Sequence, residues 1–165
     1  MSEVLDHLSI WHGSELASRS DWTRPFAEAT AEEIREILAR GSGAILLRGF
    51  PVEEHTKDSA REAFRKWCAG LGTLVSQNEK GDPVFDVSDA AFGQNDPRTR
   101  GPNTNRKLSF HTDRCDVIGF LCWKQAKSGG ENELVSSMHL YNEIAARRPD
   151  LLAVLKESFL YKRHT

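Results

Sequence analysis

His111 and Asp113, separated by Thr112 in the run Leu108-Ser109-Phe110-His111-Thr112-Asp113, are the residues whose types and spacing could do chemistry. Ser109 to Asp113 alternates small or apolar with polar side chains, the pattern of a strand with two unlike faces. Side chains two apart on a strand project the same way, so His111 and Asp113 share a face and Thr112 takes the other. An imidazole nitrogen beside a carboxylate supplies two of the three ligands of the facial triad that holds non-haem Fe(II) and leaves positions open. The same tripeptide also fits a half-buried His hydrogen-bonded to its neighbour, and a chain with six histidines produces H-x-D by chance. The elements around it have to decide.

Upstream, Thr30 and Glu33 have capping-box spacing, and Ile34, Ile37 and Leu38 lie on one helical face ahead of Gly41, which predicts a helix over 31–40. Gly43 to Pro51 reads as a short buried strand closed by a Gly and Pro turn. Thr56 caps a second helix, with Ala60, Phe64, Trp67 and Cys68 toward the core and Gly70 at its end. Val84 to Ser88 alternates as another strand. Residues 1–29 show no clear period and read as an irregular N-terminal arm whose aromatics dock on the core.

Downstream, Val117 to Trp123 is apolar on both faces, which predicts a strand buried on both sides. Gly129-Gly130 marks a turn, and Glu133 to Ser136 resumes a strand. From Ser137 the period turns helical through Met138, Tyr141, Ile144 and Ala145, stopping near Arg148 because Pro149 disfavours a helical residue before it. Pro149 opens a further short helix over Leu151, Leu152 and Leu155. Phe159-Leu160-Tyr161 looks like the beginning of another strand.

Between Val84–Ser88 and Leu108 lie nineteen residues, Asp89 to Lys107, rich in Gly, Pro, Asn and Arg. A loop of that length within a compact domain is functional or disordered. Arg98, Arg100, Arg106 and Lys107 place four cations within ten residues of it. They form either a solvated loop or an anion-binding substrate lid standing just ahead of His111.

At 165 residues the chain has the size of one ordinary domain, and 39% apolar residues suit a globular protein. A formal charge of -2 argues against bulk nucleic-acid or anionic-membrane binding. Met1 to Asp6 has neither the basic nor the apolar region of a signal peptide, and no apolar run reaches membrane-spanning length. Cys68, Cys115 and Cys122 form no C-x-x-C, which fits a reduced compartment, so a cytoplasmic location is expected.

Taken in order, several segments resemble the TauD/TfdA family of Fe(II)- and 2-oxoglutarate-dependent dioxygenases, over roughly residues 30–165. They are the strand ending Leu47-Arg48-Gly49-Phe50, the helix running into Leu71-Gly72-Thr73-Leu74-Val75, then Phe110-His111-Thr112-Asp113 with the apolar strand behind it. Ala126-Lys127-Ser128-Gly129-Gly130-Glu131 and Leu134-Val135-Ser136-Ser137 complete the series. The resemblance implies an α+β protein built on a double-stranded β-helix, a clavaminate synthase-like jelly roll with flanking helices. It also implies oxidation, such as hydroxylation, of a small polar metabolite, coupled to conversion of 2-oxoglutarate and O₂ to succinate.

Carried over residue by residue, His111 and Asp113 match the first two iron ligands. The family's distal His, from a much later strand, and the Arg that follows it and pairs with the far carboxylate of 2-oxoglutarate have no counterpart. His164 falls too early to count. Some members place a Thr after Gly-Gly-Glu to help bind 2-oxoglutarate, whereas this chain has Asn132, whose amide can still donate. Residues 30–165 are therefore expected to be the N-terminal portion of such a domain, an incomplete barrel preceded by the arm over 1–29, with little turnover alone. Unpaired strand edges would favour homo-oligomers or strand swapping. Cys115 would join the face of His111 and Asp113 if the strand ran on, although a free Cys usually packs as a small hydrophobe. A different class also fits, a non-catalytic jelly-roll or cupin-like binding or assembly module in which His111 and Asp113 stabilise the core.

Overall fold

The computed structural model describes residues 4–78, 80–89, 104, 107–113 and 115–160. Among these the elements run α1 (Gly13–Ser18), β1 (Thr23–Pro25), α2 (Ala31–Arg40), β2 (Leu46–Arg48), a 3₁₀ turn (Val52–Glu54), α3 (Lys57–Leu71), α4 (Ser137–Arg147) and α5 (Pro149–Leu155). The described residues are α+β, and among them β1 pairs with β2 in a two-stranded sheet. Leu46 N–H donates to Trp22 O and Phe26 N–H to Arg48 O, at 2.6 and 2.7 Å. Both residue numbers rise together between these two bonds, so the strands run parallel, with α2 in the connection.

The helices follow from local signals. At the start of α2, Glu33 N–H donates to Thr30 Oγ1 at 3.2 Å while Thr30 N–H donates to the Glu33 carboxylate at 3.0 Å, a reciprocal capping box. Its end is set by Gly41, where a Cβ would lie 2.8 Å from Ile37 O, closer than any side chain tolerates. Thr56 Oγ1 accepts from Ser59 N–H at 3.2 Å and starts α3. That helix runs one residue past the expected stop. Gly70 lies inside it, and Gly72 N–H closes the last turn on Cys68 O at 3.3 Å. A lone Gly weakens a helix but does not end it where packing supports the next turn.

The chain forms two compact units, and each has its own interior. The first comprises Met1–Thr23, Glu36–Leu46 and Leu134–Thr165. It buries Trp11, Leu16, Ala145 and Leu152, with Trp11 Nε1–H donating to Ser42 O at 2.8 Å. Ser136 caps α4, accepting from His139 N–H at 2.9 Å, and its buried hydroxyl donates to Ser9 O at 2.5 Å. The N-terminal stretch is therefore not irregular throughout, since it contains α1 and β1 and seats Trp11 in this core.

The second unit comprises Arg24–Arg35 and Leu47–Glu133. Among its described residues Ile34, 1% exposed, and Ala60 are the buried apolar ones, and in a ring cluster Phe26 meets Phe50 and Trp67 at centroid distances of 5.1 and 5.7 Å. Four expected strands, over 84–88, 109–113, 117–123 and 133–136, lack a ladder. A strand exists through its hydrogen-bonded neighbour, and no neighbouring strand is found for these segments among the described residues. The expectation that Val117 to Trp123 is buried on both faces is also corrected. Val117, Ile118 and Phe120 are exposed because no described segment covers them, and contact with α3 is made at Gly119. A Cβ there would meet Phe64 Cζ at 3.3 Å and Cys68 Sγ at 3.5 Å, so the chain approaches the helix where it has no side chain.

Candidate metal centre

Thr112 separates His111 from Asp113, and the two side chains turn toward each other. His111 Nε2 stands 4.0 Å from Asp113 Oδ2, with the two side chains 55% and 53% exposed. That separation is too long for a hydrogen bond. Imidazole nitrogen and carboxylate oxygen bond first-row divalent ions at about 2.0–2.2 Å, so two donors on one face of an ion stand about 3 Å apart, and these half-exposed side chains close by about 1 Å to share one.

The other ring nitrogen fixes the tautomer. His111 Nδ1 lies 2.7 Å from Ser109 O. A carbonyl only accepts, so Nδ1 carries a proton, and in the neutral ring Nε2 keeps the lone pair on the side where Asp113 stands. Donation from the far nitrogen to a backbone carbonyl is the usual device for orienting a ligating histidine and raising its basicity. Half-exposure leaves both donor atoms accessible. A neutral imidazole and a carboxylate thus meet the donor chemistry of Fe(II). Among the described residues no group of three or more His, Cys, Asp or Glu could hold a metal, so Cys115 does not complete the pair.

The segments on either side are tied together. Lys107, four residues ahead of His111, places Nζ 2.7 Å from Glu133 Oε1. Glu133 directly follows Asn132, which is exposed. Gly129 and Gly130 have φ of +73° and +79°, left-handed backbone that a residue with a Cβ adopts only at a cost, and this redirects the chain into Glu131 and Asn132. Arg98, Arg100 and Arg106 lie outside the described residues.

A second electrostatic cluster fastens residue 86 to α3. Asp86 accepts from Arg61 Nη2 at 2.6 Å and Lys57 Nζ at 2.7 Å, while Arg61 Nη1 also reaches Asp58 at 3.1 Å. Lys57 and Arg61 hold the Asp86 carboxyl below the ordinary range. The cleft beside it is lined by polar groups that already have partners: Arg65 pairs with Glu62 and Arg61 with Asp86, and Asn78 donates its amide N–H to Asp82.

Among the described residues, His7, His12, His55 and His139 have structural partners, and His164 lies outside the described residues. His139 sits in the first turn of α4 with its ring 4.1 Å, centroid to centroid, from that of His12. His7 Nδ1 meets Ser9 Oγ at 2.9 Å, and His55 Nδ1 meets Ser59 Oγ at 3.2 Å. The His12–His139 contact joins residues far apart in the chain, so no local pattern reveals it. Burial pushes the Cys68 thiol up, the opposite of what a reactive thiolate needs.

Comparison with known proteins adds independent information. Residues 8–165 match the taurine catabolism dioxygenase TauD, TfdA family. The chain is 38% identical over 120 residues to the FR-33289 synthase of Streptomyces rubellomurinus, an alignment covering 72% of this chain and 35% of the synthase. It is 36% identical over 126 residues to the taurine hydroxylase-like protein SAT17 of Stachybotrys chartarum, covering 72% of this chain and 33% of that protein. The chain thus spans about a third of the length of these curated relatives. No solved structure matches. Among the described residues no helix is long and apolar enough to cross a membrane. With a match over nearly its whole length, the chain belongs to the taurine catabolism dioxygenase TauD, TfdA family.

Proposed function

We propose that this chain is the N-terminal portion, over residues 30–165, of a non-haem Fe(II)- and 2-oxoglutarate-dependent oxygenase with a jelly-roll fold, and that His111 and Asp113 are two of its iron ligands. The reading is carried by one observation: His111 donates Nδ1–H to Ser109 O, freeing Nε2 at 4.0 Å from the Asp113 carboxylate. Family membership supports the chemistry. Alignment to about a third of each relative supports placing the distal His and the 2-oxoglutarate-binding Arg in the remaining length.

In this reading His111 binds through a neutral, pre-oriented nitrogen, and Asp113 contributes the negative charge that offsets part of the ion's. Bound Fe(II), with 2-oxoglutarate and O₂, supplies the oxidising chemistry and yields succinate. Asn132 offers an amide N–H₂ to an oxygen of 2-oxoglutarate, at the position where the family resemblance implies a Thr hydroxyl in some members. The substrate is a small polar metabolite, a reading supported by a relative named taurine hydroxylase-like. Nothing about the pair calls for a nucleic acid or membrane partner.

The test is a visible spectrum of the 165-residue protein with Fe(II) under anaerobic conditions. Addition of 2-oxoglutarate should produce a weak, broad charge-transfer band that needs both components. His111→Ala should abolish it and His139→Ala should leave it. No band in the unsubstituted protein, or a band that survives His111→Ala, would favour the non-catalytic binding module, in which His111 affects stability alone.

A further inference from the structure

Lys107 stands at the end of a cation-rich segment, and its sequence position suggests an anion-binding group. Its side chain goes elsewhere, with Nζ 2.7 Å from Glu133 Oε1. The two residues belong to the two segments that the proposed oxygenase reading uses. Lys107 leads into Ser109, His111 and Asp113, and Glu133 is bonded to Asn132. Neither segment has a ladder among the described residues, so no backbone hydrogen bonds fix their mutual register. The segment holding Asn132 also leaves a turn of two left-handed glycines, Gly129 and Gly130. The Lys107–Glu133 pair is a side-chain link between the two segments.

We infer that Lys107 and Glu133 form a clasp that positions the Asn132 segment for 2-oxoglutarate, with Lys107 a positioning residue and not a ligand of the anion. The inference rests on the proposed oxygenase reading and deepens it. The Lys107 ammonium is directed at Glu133 at 2.7 Å, so its charge serves the link between the two segments. The pair is exposed, so its effect is modest. Exposed ion pairs change an equilibrium by about two- to fivefold.

The two roles give opposite results for Glu133. The full chain is loaded anaerobically with Fe(II) and titrated with 2-oxoglutarate, the charge-transfer band giving a dissociation constant. For a clasp, Lys107→Met and Glu133→Gln each weaken 2-oxoglutarate binding by about two- to fivefold. The double variant is no weaker than either single one, and the charge swap Lys107→Glu with Glu133→Lys recovers the original affinity. Were Lys107 an anion ligand, Glu133→Gln would free it and tighten binding, and the swap would not recover. That result overturns the clasp, as does unsubstituted affinity in both single variants. A protein that shows no band before any substitution overturns the oxygenase reading and the clasp with it. A band that is present but insensitive to both residues overturns the clasp alone.

Discussion

Arg61 on α3 and Asp86, twenty-five residues later, are joined by a 2.6 Å hydrogen bond that pins the 84–88 segment to the helix, with Lys57 completing the grip at 2.7 Å. Because Lys57 and Arg61 depress the Asp86 carboxyl in the folded protein, their stabilisation is present above the unfolded carboxyl's value of about 3.9 and is lost as pH falls through the lower folded value. Asp86→Asn removes the charge at every pH. Thermal melts should therefore show Tm lower by about 1–4 °C at pH 7, the range expected of exposed pairs in a chain this size. The difference should close as pH drops below about 4. A constant difference down to pH 3 would mean that Asp86 acts through shape and not charge.

Ile34 and Phe120 make a second contrast, one residue 1% and the other 69% exposed. Truncating a fully buried Ile leaves a cavity, and Ile34→Ala should cost about 2–5 kcal/mol in urea denaturation. Phe120→Ser should stay within about 0.5 kcal/mol, as exposed substitutions do. Equal costs would mean that the 117–123 segment is covered in solution, as its sequence alone suggests.

What was legible in the sequence was local. Thr30 and Glu33, Thr56 and Pro149 each act within one helical turn, and α2, α3 and α5 start where those residues stand, while the α4 cap Ser136 reads in sequence as the end of a strand. The two-residue period that puts His111 and Asp113 on one side is equally local, and their side chains do approach to 4.0 Å. The tautomer, set by a carbonyl only two residues away, lies within the same reach.

What was not legible depends on partners distant in the chain. β1 is three residues long, contains Pro25, and becomes a strand only by pairing with β2 across the length of α2. Conversely, the apolar alternation at 84–88 and 109–113 specifies extended backbone but not a ladder, which needs a second strand that no local pattern supplies. Lys107 shows the same limit. Its neighbours in sequence are cations, whereas the group that decides its role, Glu133, lies twenty-six residues on.

The central claim is that one imidazole and one carboxylate grip ferrous iron. It is tested most directly by anaerobic equilibrium dialysis of Fe(II) against the unsubstituted chain and its His111→Ala, Asp113→Ala and His139→Ala variants. One ion per chain is expected, with affinity falling more than about 100-fold in each of the first two variants, since loss of even an outer partner costs about 10–100-fold. His139→Ala should bind as the original does. Equal Fe(II) affinity in all four proteins would contradict the account, because iron would then be held, if at all, somewhere other than His111 and Asp113.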